Sequence, residues 1–209
     1  MTGCYYLELG RHWRKCGAPG SGGCGAAMRS QPYGLFFGED PQRAAFWAAE
    51  HALMTHGHPM GQASAAAMAA MVALALKSPE DPRLIGDVAQ LIAAQWDVGT
   101  ANMLREAVET KDTAEVVLDR WRGWAGHEAV AASLWAFLQH PQSYVKTVLL
   151  AVNSPGDSDS LGCMAGALSG AFLGAQAIPT EWMEQIEDSA GLENLTQRVA
   201  SRLGVEVEQ

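Results

Sequence analysis

Basic residues are scarce in this chain: 14 Lys and Arg stand against 23 Asp and Glu, for a formal net charge of −9 over 209 residues. Binding nucleic-acid phosphates takes clustered Lys and Arg, so this deficit argues against a nucleic-acid partner. Thr, Ile and Tyr are also few, which disfavours a β-rich fold, because strands want β-branched and aromatic side chains. The four cysteines, Cys4, Cys16, Cys24 and Cys163, contain no C-x-x-C pair. A zinc ribbon or redox dithiol is therefore not expected, and the thiols read as those of a reduced, cytoplasmic protein. Residues 1–30 have no charged start followed by an apolar run, so no signal peptide is read. Walker loop, dinucleotide fingerprint after a strand and nucleophile elbow are all missing.

What the chain has instead is small residues: 22 glycines, still more alanines, and an apolar content of 48% with seven Trp. That is too hydrophobic for disorder and points to one compact all-α domain over residues 1–209, its helices packed closely through small side chains. Leu161–Ile178 carries no charge and repeats Gly162, Gly166, Gly170 and Gly174. Such a stripe occurs in membrane helices, but Asp157 and Asp159 at one end and Pro179 at the other suit a core helix, and no membrane partner is expected.

Residues 1–34 read as irregular, with a glycine loop over Gly17–Gly25. Asp40 and Pro41 then open a helix running to Thr55, broken by Gly57 and Pro59. Further helices are predicted over Gln62–Leu76, Arg83–Gln95, Thr100–Glu109, Thr113–Trp121, Glu128–Leu138 and Ser143–Val152. The glycine-striped helix follows, then Pro179–Glu187 and Leu192–Leu203. Trp121, Trp124 and Trp135 fall at helical spacing and read as core.

Three loops combine mobile backbone with reactive groups. In Asn153-Ser154-Pro155-Gly156-Asp157-Ser158-Asp159-Ser160, carboxylates and hydroxyls gather at a helix start. Their spacing suits helix capping and equally suits Mg²⁺, Mn²⁺ or Ca²⁺, although one cap suffices for a helix and this loop offers more oxygens. In Thr55-His56-Gly57-His58-Pro59, two imidazoles could ligate a transition metal or bond a ligand; a His at a helix end is also favoured by the macrodipole alone. In Ser21-Gly22-Gly23-Cys24-Gly25, followed by Met28 and Arg29, backbone N–H groups could approach an anion.

In order, these segments resemble the ADP-ribosylglycohydrolase family. Asn153–Ser160, the small-residue run Ala165–Ala171 and Ile178-Pro179-Thr180-Glu181-Trp182 are similar to its N-x-G-G-D-x-D-T loop, small-residue helix and I-P-x-x-W. Gly23–Arg29 is similar to its G-x-G-x-x-M-R segment, and Thr55-His56 to its Thr-His at a helix end. The resemblance implies an all-α fold, a binuclear Mg²⁺ or Mn²⁺ centre, and hydrolysis of an N- or O-glycosidic bond to ADP-ribose. By position it implies Asp157, Asp159 and Ser160 as metal ligands. Ser21, Gly22, Gly23, Cys24, Gly25 and Met28 would line the substrate pocket, largely through backbone donors, and His56 would contact the ligand. Hard ions prefer such oxygens and make bound water a better nucleophile. Two departures are Ser160 where the family has Thr, and Pro155 in place of a loop Gly.

One element is missing. The family's N-terminal Gly-Asp-Ala-Leu-Gly stretch and Thr-Asp-Asp-Thr motif, which supplies the other half of the metal shell and an acidic catalytic group, has no counterpart here, and residues 1–16 do not resemble that region. The expectation is a chain equivalent to the C-terminal two-thirds of the family fold, with hydrolase activity impaired when isolated and its catalytic residues unassigned. Apolar surface left bare would favour a homodimer or a complementing N-terminal chain. The alternative is a non-catalytic helical module that binds an ADP-ribose-like ligand or completes a partner subunit.

Overall fold

A computed structural model describes residues 2–205. Its α-helices in chain order are α1 (Thr2–Glu8), α2 (Gly25–Met28), α3 (Gln31–Phe36), α4 (Pro41–Ala52), α5 (Pro59–Ala75), α6 (Arg83–Ala93), α7 (Val98–Glu109), α8 (Ala114–Arg120), α9 (Gly126–Gln139), α10 (Tyr144–Val152), α11 (Ser158–Leu173), α12 (Thr180–Gln185) and α13 (Ser189–Leu203). Short 3₁₀ turns lie at Trp13–Lys15 and Ala175–Ala177. Among the described residues there is no sheet, only two isolated bridges, Ala18 with His56 and Gly23 with Ala125. The all-α architecture read from composition is the one observed.

Helix α5 is the axis. Every residue from Ala63 to Ala73 is buried, and a helix apolar all round must be enclosed on all sides. It packs against α2, α3, α4, α6, α9 and α11. Alanine makes this possible, since methyl-sized side chains let these neighbours, and α7 beside them, approach one helix. On one flank Ala66 and Ala70 meet Ala45, Ala49 and Ile92; on another Ala65, Ala69 and Ala73 meet Ala44, Ala48 and Ala52. The bulky residues are concentrated in the main core, where Met68, Met71, Leu104, Trp121, Leu134, Trp135, Phe137, Leu161 and Leu168 interlock.

The predicted starts of α4 and α10 hold: Asp40 accepts from Arg43 N and Ser143 from Lys146 N. Two expectations are corrected. Residues 1–34 are not irregular, because α1, α2, α3 and the Trp13–Lys15 turn occupy much of them. Elements of seven, four and six residues span too few turns to show a period. The glycine-striped helix ends at Leu173, not Ile178, because Gly174 takes φ +84°, a left-handed conformation that favours glycine. Among the described residues no helix is long and apolar enough to cross a membrane. The glycine-striped helix instead packs against α5, α9 and α10, with Gly162, Gly166 and Gly170 set against Val152, Val148 and Tyr144 of α10. All four cysteines are free.

Candidate functional site

The site begins with the entry to α11. Asp157 and Ser160 are buried, at 7% and 3% exposure, whereas Asp159, between them, faces solvent. Asp157 stands at the N-cap, yet its side chain makes no regular capping bond, so capping does not account for it. Its carboxylate meets the thiol of Cys24, with Sγ to Oδ2 at 3.0 Å, across 133 residues of sequence. Ser160 Oγ lies 3.0 Å from Met28 Sδ and 3.5 Å from Cys24 Sγ. The glycine segment and the acidic loop, far apart in the chain, therefore meet through side chains.

Burial pushes the Cys24 thiol above its ordinary value, and the bond to Asp157 adds to that, so the sulfur keeps its proton and donates. Burial works against the Asp157 carboxylate as well. The hydrogen bonds from Cys24 and Ser160 help to outweigh it, and the carboxyl is held below its ordinary value. The group is thus an anion, and none of the ion pairs among the described residues reaches it.

A segment passed over in the sequence holds the two halves together. Between α8 and α9, Arg122 O accepts from Asp157 N at 2.7 Å, and Trp124 O accepts from Cys24 N at 3.2 Å. Gly126 N in turn donates to Gly22 O at 2.8 Å. Gly156 fits against this segment only because it lacks a side chain: a methyl there would stand 2.7 Å from the Arg122 carbonyl carbon and nearer still to its oxygen. In the sequence this segment is marked by Gly123 and Gly126, which signal chain breaks and no chemistry. Trp124, expected in the core, is 64% exposed, while Trp121 and Trp135 are buried as expected. Helical spacing failed for Trp124 because it lies in this extended link, ahead of α9.

The loop after α4 closes the other side. Gly17 N donates to Leu53 O, Gly57 N to Ala18 O and His58 N to Ser21 O. The glycine loop thus spends part of its backbone on structure, since Ser21 N and Cys24 N already have partners; Gly22, Gly23 and Gly25 are its remaining N–H candidates. The two imidazoles do not act as a pair. His58 Nδ1 accepts from Met60 N at 3.1 Å and caps α5, which leaves the proton of the neutral ring on Nε2 and no free lone pair for a shared metal. His56 turns inward: a methyl on Gly25 would stand 3.4 Å from its Cε1, and one on Gly23 3.8 Å from its Nε2. Burial, then the charge of Arg29, lowers the His56 pKa. A macrodipole contact would favour the imidazolium, so that reading does not describe this residue.

Oxygen donors Asp157, Asp159 and Ser160 suit a hard divalent ion, and a buried carboxylate without a basic partner is the environment such an ion relieves. Three such groups would be only part of a shell. Among the described residues no group of three or more His, Cys, Asp or Glu could hold an ion.

The model of the family described as ADP-ribosylglycohydrolase matches residues 2–208. An uncharacterized protein of Archaeoglobus fulgidus is 27% identical, over 92% of this chain and 62% of its own length. ADP-ribosylhydrolase ARH3 of Mus musculus is 27% identical over 80% of this chain and 54% of its own. ADP-ribosylarginine hydrolase Tri1 of Pseudomonas putida is 22% identical over 94% and 51%. A solved ADP-ribosylglycohydrolase-related protein complex contains a chain with the same fold, at TM-score 0.71 and 22% identity, covering 94% of this chain and 71% of that one. This chain therefore spans between half and two-thirds of the length of these curated relatives. The match over nearly the whole chain, with the meeting of the three loops, places this protein in the ADP-ribosylglycohydrolase family.

Proposed function

We propose that this chain carries the ligand-facing part of a metal-assisted site that hydrolyses an N- or O-glycosidic bond to ADP-ribose. The observation that supports it is the buried Asp157 carboxylate beside Ser160, without a basic partner and facing the glycine loop. The folded site keeps this carboxyl as an anion, and a carboxylate beside a hydroxyl is the donor chemistry that a hard cation takes. Asp157, Asp159 and Ser160 would hold Mg²⁺ or Mn²⁺. When bound, the ion would supply Lewis-acid activation of water. Ser21, Gly22, Gly23, Cys24, Gly25 and Met28 shape the adjoining wall, where unspent N–H groups on Gly22, Gly23 and Gly25 suit pyrophosphate oxygens. His56 is neutral near pH 7 and offers a hydrogen bond rather than a charge. In the net reaction, water adds at the anomeric carbon and the acceptor leaves with a proton.

Three protein oxygens fall short of the six that Mg²⁺ demands, so waters, substrate oxygens or the carboxylates of a segment bearing the Thr-Asp-Asp motif would complete the shell. The expected result is slow release of ADP-ribose from ADP-ribosylated protein by the isolated chain with Mn²⁺. Co-expression with a segment bearing the Thr-Asp-Asp motif should raise the rate, and Asp157→Asn should abolish the gain. No rate increase on complementation would refute the hydrolase reading.

The incomplete donor set specifically favours a second reading, a non-catalytic module that binds ADP-ribose. Calorimetric titration with ADP-ribose separates the two. Affinity insensitive to Mn²⁺ and to Asp157→Asn supports the module, and affinity that needs both supports the hydrolase.

A further inference from the structure

Arg29, at the end of α2, donates from Nη2 to Thr55 Oγ1 at 2.5 Å. The same Thr55 oxygen lies 2.7 Å from His56 Nδ1. A guanidinium has donors only, so Thr55 Oγ1 is an acceptor in the first bond and its own proton must find a partner elsewhere. Among the described residues the other hydrogen-bond partner of that side chain is His56 Nδ1. With its proton turned along that bond the hydroxyl donates to Nδ1, which leaves the imidazole proton on Nε2. Nε2 is the ring nitrogen on the side of Gly23 and Gly25. A second bond from Arg29, Nη1 to Gly25 O at 3.4 Å, ties the same guanidinium to the glycine loop.

From this chain of bonds we infer that Thr55 and Arg29 are positioning residues, fixing His56 as an Nε2–H donor aimed at an oxygen acceptor bound against the glycine loop. The inference rests on the ADP-ribose reading for the identity of the ligand, whose ribose hydroxyl and phosphate oxygens are such acceptors. The tautomer itself needs no ligand. The lowered His56 pKa agrees with this arrangement, since burial and the nearby Arg29 charge keep the ring neutral. Without Thr55 a neutral imidazole would be free to carry its proton on Nδ1, presenting a lone pair to ligand oxygens and repelling them. The device also explains why the threonine precedes the histidine: its short branched side chain spans from the guanidinium to the ring while the backbone of His56 is held by Ala52 O at 2.7 Å.

The test uses the whole chain and two variants, Thr55→Val, which keeps shape and loses the hydroxyl, and Thr55→Ser, which keeps the hydroxyl. Long-range ¹H–¹⁵N spectra of the imidazoles report which nitrogen of His56 is protonated, and calorimetry with ADP-ribose reports affinity. The wild type and Thr55→Ser should show the Nε2–H form and bind alike. Thr55→Val should populate the Nδ1–H form and bind about tenfold more weakly, the scale of one misdirected hydrogen bond. An Nδ1–H wild type, or a Thr55→Val protein with unchanged tautomer, would overturn the inference. Failure of the wild type to bind ADP-ribose would overturn the ligand reading instead, and the tautomer spectra would still decide the relay. If Thr55→Val does not fold, Arg29→Met supplies the same readout: with no N–H donated to Thr55 Oγ1 the hydroxyl is free to accept from an Nδ1–H ring, so loss of a single tautomer supports the relay and its persistence overturns it.

Discussion

Replacing Gly156 by alanine should loosen the whole acidic loop. The added methyl would lie 2.7 Å from the Arg122 carbonyl carbon, against backbone that has no flexible end to move aside. Arg122 O is also the acceptor for Asp157 N at 2.7 Å, so relieving the clash means parting that bond. Overpacking at a tight site costs about 1–3 kcal/mol, and a lost internal hydrogen bond adds about 0.5–1.5 kcal/mol. The combined loss is about 2–4 kcal/mol, and in a chain of this size each kcal/mol lowers Tm by about 2–4 °C. Differential scanning fluorimetry should therefore find Gly156→Ala melting about 5–15 °C below wild type. Gly20→Ala is the control, because a methyl there meets nothing within 4 Å. The same loosening separates Asp157 and Ser160 from Cys24 and Met28, so any thermal shift with Mn²⁺ should shrink too. A Gly156→Ala protein within about 2 °C of wild type would show that the loop has room to spare and would refute the docking argument.

Three further outcomes follow from the same geometry. Asp157→Asn should lower the stability of the metal-free chain modestly, since the folded site favours the carboxylate over a neutral group; thermal shift with and without Mn²⁺ should show stabilisation of the wild type that the variant lacks. Ala66→Leu should destabilise by about 1–3 kcal/mol in urea titration, because Ala66 is fully buried against Ala45, Ala49 and Ala70 and no space exists for an isobutyl group; an unchanged midpoint would contradict the close packing of α4 on α5. Acid should weaken the fold through two histidines. Burial, then Arg29, lowers the pKa of both His51 and His56, so the unfolded chain takes up protons that the folded chain refuses. Their contribution is complete above the ordinary value near 6.5 and falls as pH drops below it. Urea midpoints at pH 7.5 and 5.5 should differ less in a His51→Gln, His56→Gln double variant than in wild type, and an equal difference would count against the argument.

The legible parts of the site were those whose chemistry is local. A run such as Asp157-Ser158-Asp159-Ser160 at the head of an apolar helix declares hard oxygens wherever it occurs, and Asp40-Pro41 declares a helix start. His58 shows the limit, because its imidazole has the composition of a ligand and the work of a helix cap, and only the position of Met60 N distinguishes the two. Trp124 shows another. The 3.6-residue period describes side chains along one helix, and a residue in the link between two helices follows no such rule.

Helical class is a property of composition: alanine at every turn of Ala63–Ala75, few β-branched residues, and prolines and glycines between the runs leave the backbone one economical way to satisfy its hydrogen bonds. The acidic loop, the glycine loop and the Thr-His pair are likewise readable as units, because each is defined by neighbours in the chain. Their convergence is not, because Cys24 reaches Asp157 across 133 residues and the two are brought together by the packing of α2, α9 and α11 around α5. Packing also assigns which backbone groups remain free, which His nitrogen carries the proton, and why Arg122–Gly126, with no reactive signature of its own, holds the site closed.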